Sequence, residues 1–562
     1  MKKFLSLALV LAMSLSLLAG CGGNDASNAA ASAATSSAAS AGSAAAPETG
    51  NAEAGLDTTN FLKIADDTPD IVDPQCTTEY YLVSMNVMDR LVEVKANGDG
   101  TSEIVPSLAK SWEISEDGLT YTFQLNEGVK YSNGADLTAS DVLYSIKRML
   151  TYPKAVNDDI YDIIEGAEAV HNGETEELSG FEQISDYEFK ITLASPYAAF
   201  LACLTTPGAS ILDEETTEAA GDQFGIDPAV TIGTGPFIFH SWDLNSEMVL
   251  VANKDCWSGA PACEGIVVKD VPDEATMRMM FENGELDLLD LDNASSQMEY
   301  FLNNPDYQDQ IVSGPRVGIH YICLNQAFEP LNNVKVRQAL QRSIDRQAIL
   351  DALYAGQGTL ENGIFPHGLI GYNADLPEIP YDVEAAKALL AEAGYADGFT
   401  MDLCYSSDAA QSTKDLLEIV AAQWGEIGVT VNVVEVDEGS YLDKRAAGEI
   451  EAYKADWSAD FNDPDNFIYS FFGNMDNVNR RGFGYTNEDA IARVAAARAI
   501  VDEDERIAEY QELEKLIIQE DACWVPLFSK MHLYVVNPRV QNFTVSWNGW
   551  SNNYYHNVAI SG

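Results

Sequence analysis

Positive charge is scarce in this chain: 32 lysines and arginines stand against 88 acids, a formal net charge of −56. Nucleic acid and anionic lipid headgroups are polyanions, so this balance argues against both as partners. Histidine is scarcer still, with six residues at 171, 240, 320, 367, 532 and 556 and no pair at metal-ligand spacing. Catalytic signatures are missing as well. There is no G-x-S-x-G elbow, no H-E-x-x-H, no P-loop and no G-x-G-x-x-G after a strand. A paired-carboxylate site can hide among 88 acids, yet the reading is a non-enzyme without cofactor or metal. Asp287, Asp290 and Asp292 cluster like calcium ligands, but the glycine and distal glutamate of a helix–loop–helix site are absent, and a solvated loop is expected. No stretch beyond the first 21 residues is apolar enough, for long enough, to be a transmembrane helix.

What is present begins at the N-terminus. Lys2 and Lys3 precede an apolar run, Phe4 to Leu18, too short to span a bilayer, which ends in Leu18-Ala19-Gly20-Cys21. This looks like a bacterial lipoprotein signal. Residues 1–20 are then a cleaved signal peptide, and Cys21 supplies the sulfur for acylation, a palmitate-type anchor. The alternative is a plain signal peptide with a chance cysteine. Residues 21–55 are almost all Ala, Ser, Gly, Asn and Thr, which cannot bury a core, so a disordered linker reaching about 30 Å is expected. Loss of residues 1–20 removes two lysines and no acids, moving the charge from −56 to −58. The expected location is the extracytoplasmic face of the cell membrane, with lipid on Cys21 as the only membrane contact.

About 505 residues follow the linker, too many for one core, so at least two lobes are expected. Seven cysteines lie beyond Cys21, at 76, 203, 256, 263, 323, 404 and 523. The odd number leaves at least one thiol unpaired and no C-x-x-C occurs. Scattered buried thiols are expected, with a Cys256–Cys263 disulfide as the alternative. The folded part reads as mixed α/β. Tyr121, Phe123 and Leu125 alternate with polar residues up to the turn Asn126-Glu127-Gly128, a half-buried strand, and Asn133-Gly134 is a second turn. Thr138 and Asp141 form a capping box before Val142, Ile146 and Met149. One helix is expected from Asn333 to about Tyr354, and another from Asp382 to Gly394. Strand 399–405, helix 411–427 and strand 429–436 compose a βαβ unit with parallel strands.

Several blocks, in order, carry a family resemblance: Thr68-Pro69-Asp70-Ile71-Val72-Asp73-Pro74, Leu108-Ala109-Lys110-Ser111-Trp112, the stretch Tyr121 to Arg148, and Gly233-Thr234-Gly235-Pro236-Phe237. Val336-Arg337-Gln338-Ala339-Leu340, Ile344-Asp345-Arg346 and Trp457-Ser458-Ala459-Asp460-Phe461-Asn462-Asp463-Pro464 complete the series. The chain resembles the oligopeptide/dipeptide-binding family, the large extracytoplasmic solute receptors of ABC importers. The resemblance implies an α/β, two-lobed periplasmic-binding-protein-like clamp of the large family 5 type, with hinge strands between the lobes. It places lobe I at 56–312 with an inserted subdomain at about 98–230, lobe II at 313–526, and a return to lobe I at 527–562.

The same resemblance implies a short peptide as ligand. Asp460 would pair with the peptide's α-ammonium, a cation that makes an enclosed carboxylate tolerable. Trp457, Ser458 and Ala459 come from the same motif; Trp457 either walls the cleft or packs in the core. Asp460 has its own alternative, capping a turn before Pro464. Thr78, in the loosely matched Thr77-Thr78-Glu79, is carried over as a contact to the ligand backbone. Implied partners are ABC permease subunits and a separate cytoplasmic ATPase, with the receptor a monomer. Oligosaccharides, nickel or haem complexes remain alternative cargo, with aromatic platforms in Trp547-Asn548-Gly549-Trp550 and Asn552-Asn553-Tyr554-Tyr555 for a sugar and His556 for a metal. A secreted hydrolase and an adhesion or sensor protein are the readings of other classes.

Overall fold

Side-chain periodicity explains where the first elements form. The computed structural model describes residues 56–66, 69–78, 80–96, 102–157, 160–549 and 553–561. The signal peptide, Cys21 and the linker to residue 55 lie outside the described residues, as do Thr68, Glu79, Trp550 and Asn552. Thr120–Leu125 is a strand whose Tyr121, Phe123 and Leu125 are buried in alternation. The helix Ala139–Thr151 starts with the expected capping box between Thr138 and Asp141 and buries Val142, Ile146 and Met149. This strand, with Ala109–Ile114, Glu188–Thr192 and Phe181–Ser185, makes a four-stranded sheet with its own apolar core.

The larger sheet has twelve strands among the described residues. One end runs Val429–Val436, Phe399–Ser406, Ala452–Ser458 and Gly318–Leu324. The 13-residue strand Trp524–Val536 follows, then Leu288–Asp290, Leu62–Ala65, Gly265–Lys269, Glu247–Ala252 and Phe237–Asp243. Trp524–Val536 changes partner along its length. Trp524 to Phe528 pair with Cys323 to His320, whereas Met531 to Val535 pair with Pro315 to Ile311. The chain from Ile311–Pro315 to Gly318–Leu324 follows the same strand from one half to the other, so two adjacent segments join the two ends of the sheet. Separate cores pack on either side of this connection, one about Leu62, Phe237 and Tyr534 and others about Phe467 and Trp524 and about Leu403 and Trp424.

The βαβ unit forms as expected: Phe399–Ser406 and Val429–Val436 pair in parallel, joined by the helix Gln411–Glu426. Gly428 stops that helix with φ +89°, a conformation that side-chain-bearing residues rarely adopt. The helix from Asp382 also forms, as Val383–Glu392, with the Asp382 carboxylate accepting from the Ala385 N–H.

Three expectations need correction or choice. The single helix expected from Asn333 to Tyr354 is two, Val334–Arg342 and Arg346–Tyr354. Apolar spacing runs through the break, but Asp345 accepts from the Ala348 N–H and starts a new helix there. The acidic cluster is no solvated loop. Asp287 is bound by Arg539, with one contact at 2.8 Å; Asp290 meets His532 at 2.8 Å; Asp292 meets Arg316 at 2.6 Å. Each carboxylate therefore has its own basic partner, and no metal-holding group of three exists among the described residues. Cys256 and Cys263 are both buried free thiols, so the disulfide alternative falls. Among the described residues no helix is long and apolar enough to cross a membrane.

Candidate functional site

A cavity of about 840 Å³ opens between the lobes. One wall comes from Thr78, Tyr81 and Met85 around the helix Leu82–Val87, and from Tyr197 and residues 205–208. The other comes from the end of the strand Ala452–Ser458, the helix Asp465–Phe472 and the segment reaching Arg481. Its size lies within the ordinary range of a small-ligand site.

Asp460 stands where the strand gives way to the helix. Its side chain is exposed and its Oδ2 accepts from Asn466 Nδ2 at 3.0 Å, while its backbone N–H donates to Asn466 Oδ1 at 3.0 Å. Asn466 sits in the first turn of the helix Asp465–Phe472, so the helix holds the carboxylate at the cavity wall. Trp457 combines its two expected roles: its ring packs edge-on against Phe471 at 5.6 Å, and the residue also lines the cavity. Thr78 lines the cavity from the opposite wall. Ser458 and Ala459 do not. Ser458 lines a neighbouring hollow, which Trp457 also borders. Ala459 is buried, its N–H donating to the Val317 carbonyl at 2.8 Å. In the C-terminal tail, Trp547 reaches the cavity, whereas Asn553 and Tyr555 are buried. His556 Nε2 donates to the Gly259 carbonyl at 2.9 Å.

Sequence reasoning missed the basic side of the site. Arg480, Arg481 and Arg498 all line the cavity of this acidic chain. The Arg481 guanidinium lies 4.6 Å from the Trp457 ring centroid and 4.4 Å from that of Phe471, with Nε donating to the Ser470 carbonyl at 3.1 Å. Among the described residues no carboxylate comes within ion-pair distance of it, and burial lowers its pKa from the ordinary value. Arg498 is different: its Nε stands 3.1 Å from Asp465 Oδ1, and its guanidinium stacks on Tyr469 at 3.7 Å. Asp465 is buried, and that burial raises its pKa although Arg498 draws it down. The adjacent Arg480-Arg481 pair was the available signal, because a basic doublet beside an aromatic-rich helix is unusual at this charge.

A cavity between two lobes, joined by two adjacent strand crossings, is the arrangement of a ligand-closing clamp. The family model for bacterial extracellular solute-binding proteins, family 5, matches residues 103–479. The chain belongs to that family. It is 32% identical over 501 residues to heme-binding protein A of Haemophilus influenzae, covering 86% of this chain and 89% of that protein. It is 30% identical over 524 residues to the dipeptide-binding protein of Escherichia coli, covering 86% and 94%. Among solved structures, HbpA2 from Haemophilus parasuis superposes with a TM-score of 0.75 at 31% identity, covering 89% of this chain and 99% of that one. DppA from Helicobacter pylori, in complex with the peptide STSA, gives 0.67 at 28%, covering 89% and 97%. The fold is accordingly the two-lobed α/β clamp of family 5.

Proposed function

We propose that this chain is the lipid-anchored receptor subunit of an ABC importer, which captures short peptides by lobe closure and hands them to a membrane permease. Asp460 takes the peptide's ammonium and Arg481 its carboxylate. The observation that carries the reading is the coexistence, on one cavity, of an exposed carboxylate and an aromatic-stacked guanidinium without an acidic partner among the described residues. A zwitterion offers an ammonium to the exposed carboxylate and a carboxylate to the stacked guanidinium. Charge-assisted hydrogen bonds at each end recognise what all short peptides share, so side chains stay largely unread. Membership of a solute-binding family and likeness to proteins named for dipeptides and peptides support it.

Lobe I is proposed to span 56–312 and 527–562, with the four-stranded sheet region inserted at about 98–230, and lobe II 313–526. The strand crossings at Pro315–Gly318 and within Trp524–Val536 support these limits. Acylation at Cys21, delivery to a permease driven by a separate ATPase, the monomeric state and the absence of enzymatic activity belong to the same proposal. Haem is the second reading, favoured by the 32% identity to a protein named for haem; propionates would meet the same arginines.

Native mass spectrometry of the purified protein separates peptide from haem by the mass of retained cargo. Calorimetry with Asp460→Asn then tests the site. Loss of one partner of a charge pair is expected to weaken binding of unblocked peptides by roughly 2–5 kcal/mol. N-acetylated peptides binding the wild type as tightly as free ones would end the peptide reading, and cleaved products after incubation would end the non-enzymatic one.

A further inference from the structure

His532 lies in the strand Trp524–Val536 and is buried, with both ring nitrogens facing acceptors. Nε2 meets Asp290 Oδ1 at 2.8 Å, and Nδ1 meets the Gly549 carbonyl. A carbonyl oxygen only accepts, so Nδ1 carries a proton. Asp290 Oδ1 also accepts from the Asp292 N–H at 2.8 Å, which keeps it an acceptor toward Nε2 as well. The ring is therefore an imidazolium enclosed between a carboxylate and a backbone carbonyl. Burial by itself would lower its pKa, but Asp290 raises it above the ordinary 6.5. Asp292 adds to that pull and is itself paired with Arg316 at 2.6 Å. The strand Ile311–Pro315 and the tail residues 545–549 bring no ionisable side chain, and the Tyr534 ring stacks on the imidazole at 4.7 Å.

The carbonyl that His532 holds ends a short strap along the ligand cavity, which Ser546, Trp547 and Asn548 line. Gly549 has φ +67° and passes so close to Pro315 that a Cβ would sit 2.6 Å from its carbonyl oxygen. The Val317 N–H donates to the Asn548 carbonyl at 3.0 Å. Asn548 Nδ2 in turn donates at 3.4 Å to the carbonyl of Ala459, the residue before Asp460. A continuous set of polar contacts thus runs from the enclosed imidazolium to the backbone that carries the cavity's carboxylate.

We propose that His532, as an imidazolium, is a positioning residue for the cavity: it fixes residues 546–549 as part of the wall, and loss of its proton loosens them. The inference rests on the reading of this cavity as the cargo site. A folded-state pKa above the ordinary one means that the strap is held fully below about pH 6.5 and released as pH rises through the folded-state value. Capture is accordingly tighter on the acid side.

The first test needs no cargo. In the ligand-free full chain, NMR of labelled histidine rings is expected to show His532 titrating above 6.5, and a ring already neutral there overturns the proposal. Hydrogen-exchange protection of residues 546–549 is expected to fall with the same midpoint in the wild type and to be independent of pH in His532→Gln. Should that variant fail to fold, Asp290→Asn removes the carboxylate that holds the proton and is expected to move the midpoint down. Protection that ignores pH in the wild type overturns the proposal. For cargo, the readout is the ratio of wild-type to His532→Gln affinity for unblocked dialanine, in which the titration of the peptide's own ammonium cancels. The ratio is expected to be about tenfold near about pH 6 and to approach one near about pH 9. A ratio that does not change with pH removes the positioning role. If neither protein binds dialanine at either pH, the peptide reading falls, and the exchange profile alone decides whether His532 holds the strap.

Discussion

The Tyr197 hydroxyl donates to Asp465 Oδ2 at 2.9 Å, joining two buried residues 268 positions apart that both line the cavity. Asp465 Oδ1 also accepts from the Tyr510 hydroxyl at 2.8 Å, and Arg498 spans the gap by stacking on Tyr197 at 4.2 Å as well as on Tyr469. Tyr197 belongs to the core of the four-stranded sheet and Asp465 heads the helix Asp465–Phe472, so the contact ties two separately packed parts of the cavity lining together.

Tyr197→Phe keeps the ring and its stacking but loses the donor. A hydrogen bond to a charged group contributes roughly 1.5–3 kcal/mol. The variant is expected to open more in the absence of ligand, seen as a larger radius of gyration in solution scattering, and to bind cargo about tenfold more weakly. Identical scattering and affinity would show that the contact does not stabilise closure.

Arg481→Met replaces a stacked cation with an apolar chain of similar reach. Because no acid of the described residues pairs with Arg481, the fold should tolerate the change. Calorimetry is expected to show a loss of about 10- to 100-fold for peptides with a free C-terminal carboxylate and little change for C-amidated ones. Equal losses for both would remove the arginine from carboxylate recognition.

Glu514 gives a pH dependence. Its Oε1 accepts from the Ile364 and Phe365 N–H groups at 2.6 and 2.8 Å, and complete burial pushes its pKa from 4.5 up to about 8. A raised folded-state value means the native state holds this proton more tightly than the unfolded chain. The contribution to stability is therefore full below about pH 4.5 and lost as pH rises through about 8. Glu514→Gln, always neutral, should melt with the wild type near about pH 5 and a few degrees above it near about pH 9. Parallel pH profiles would place the titration elsewhere.

Much of this architecture was legible because local chemistry dictated it: the Thr138–Asp141 box, the alternation at Tyr121 to Leu125, the Gly428 stop. Several resemblance blocks carry structure rather than ligand contacts. Gly233 and Gly235 pass so close to the Val87 backbone that a Cβ would sit 2.1 and 2.7 Å from its atoms. Arg148 pairs with Asp73 at 2.6 Å and Arg506 with Asp463 at 2.7 Å, all four buried. The motif around Asp460 located one cavity wall. Arg481, on the same wall, stayed unread: the Arg480-Arg481 doublet marks a basic spot in the sequence, but the lack of an acidic neighbour for Arg481 among the described residues exists only in space. The break at Ser343–Asp345 escaped for a related reason: apolar spacing is blind to a carboxylate that accepts from the N–H three residues ahead and starts a new helix.

The strand Trp524–Val536 supplies the pairing edge for Gly318–Leu324 in one lobe and for Leu288–Asp290 in the other. Neither large sheet segment can be completed until the last 40 or so residues have emerged. A chain in the course of secretion therefore carries two unfinished sheets almost to its end, and it settles into its native form only after the whole polypeptide has passed through.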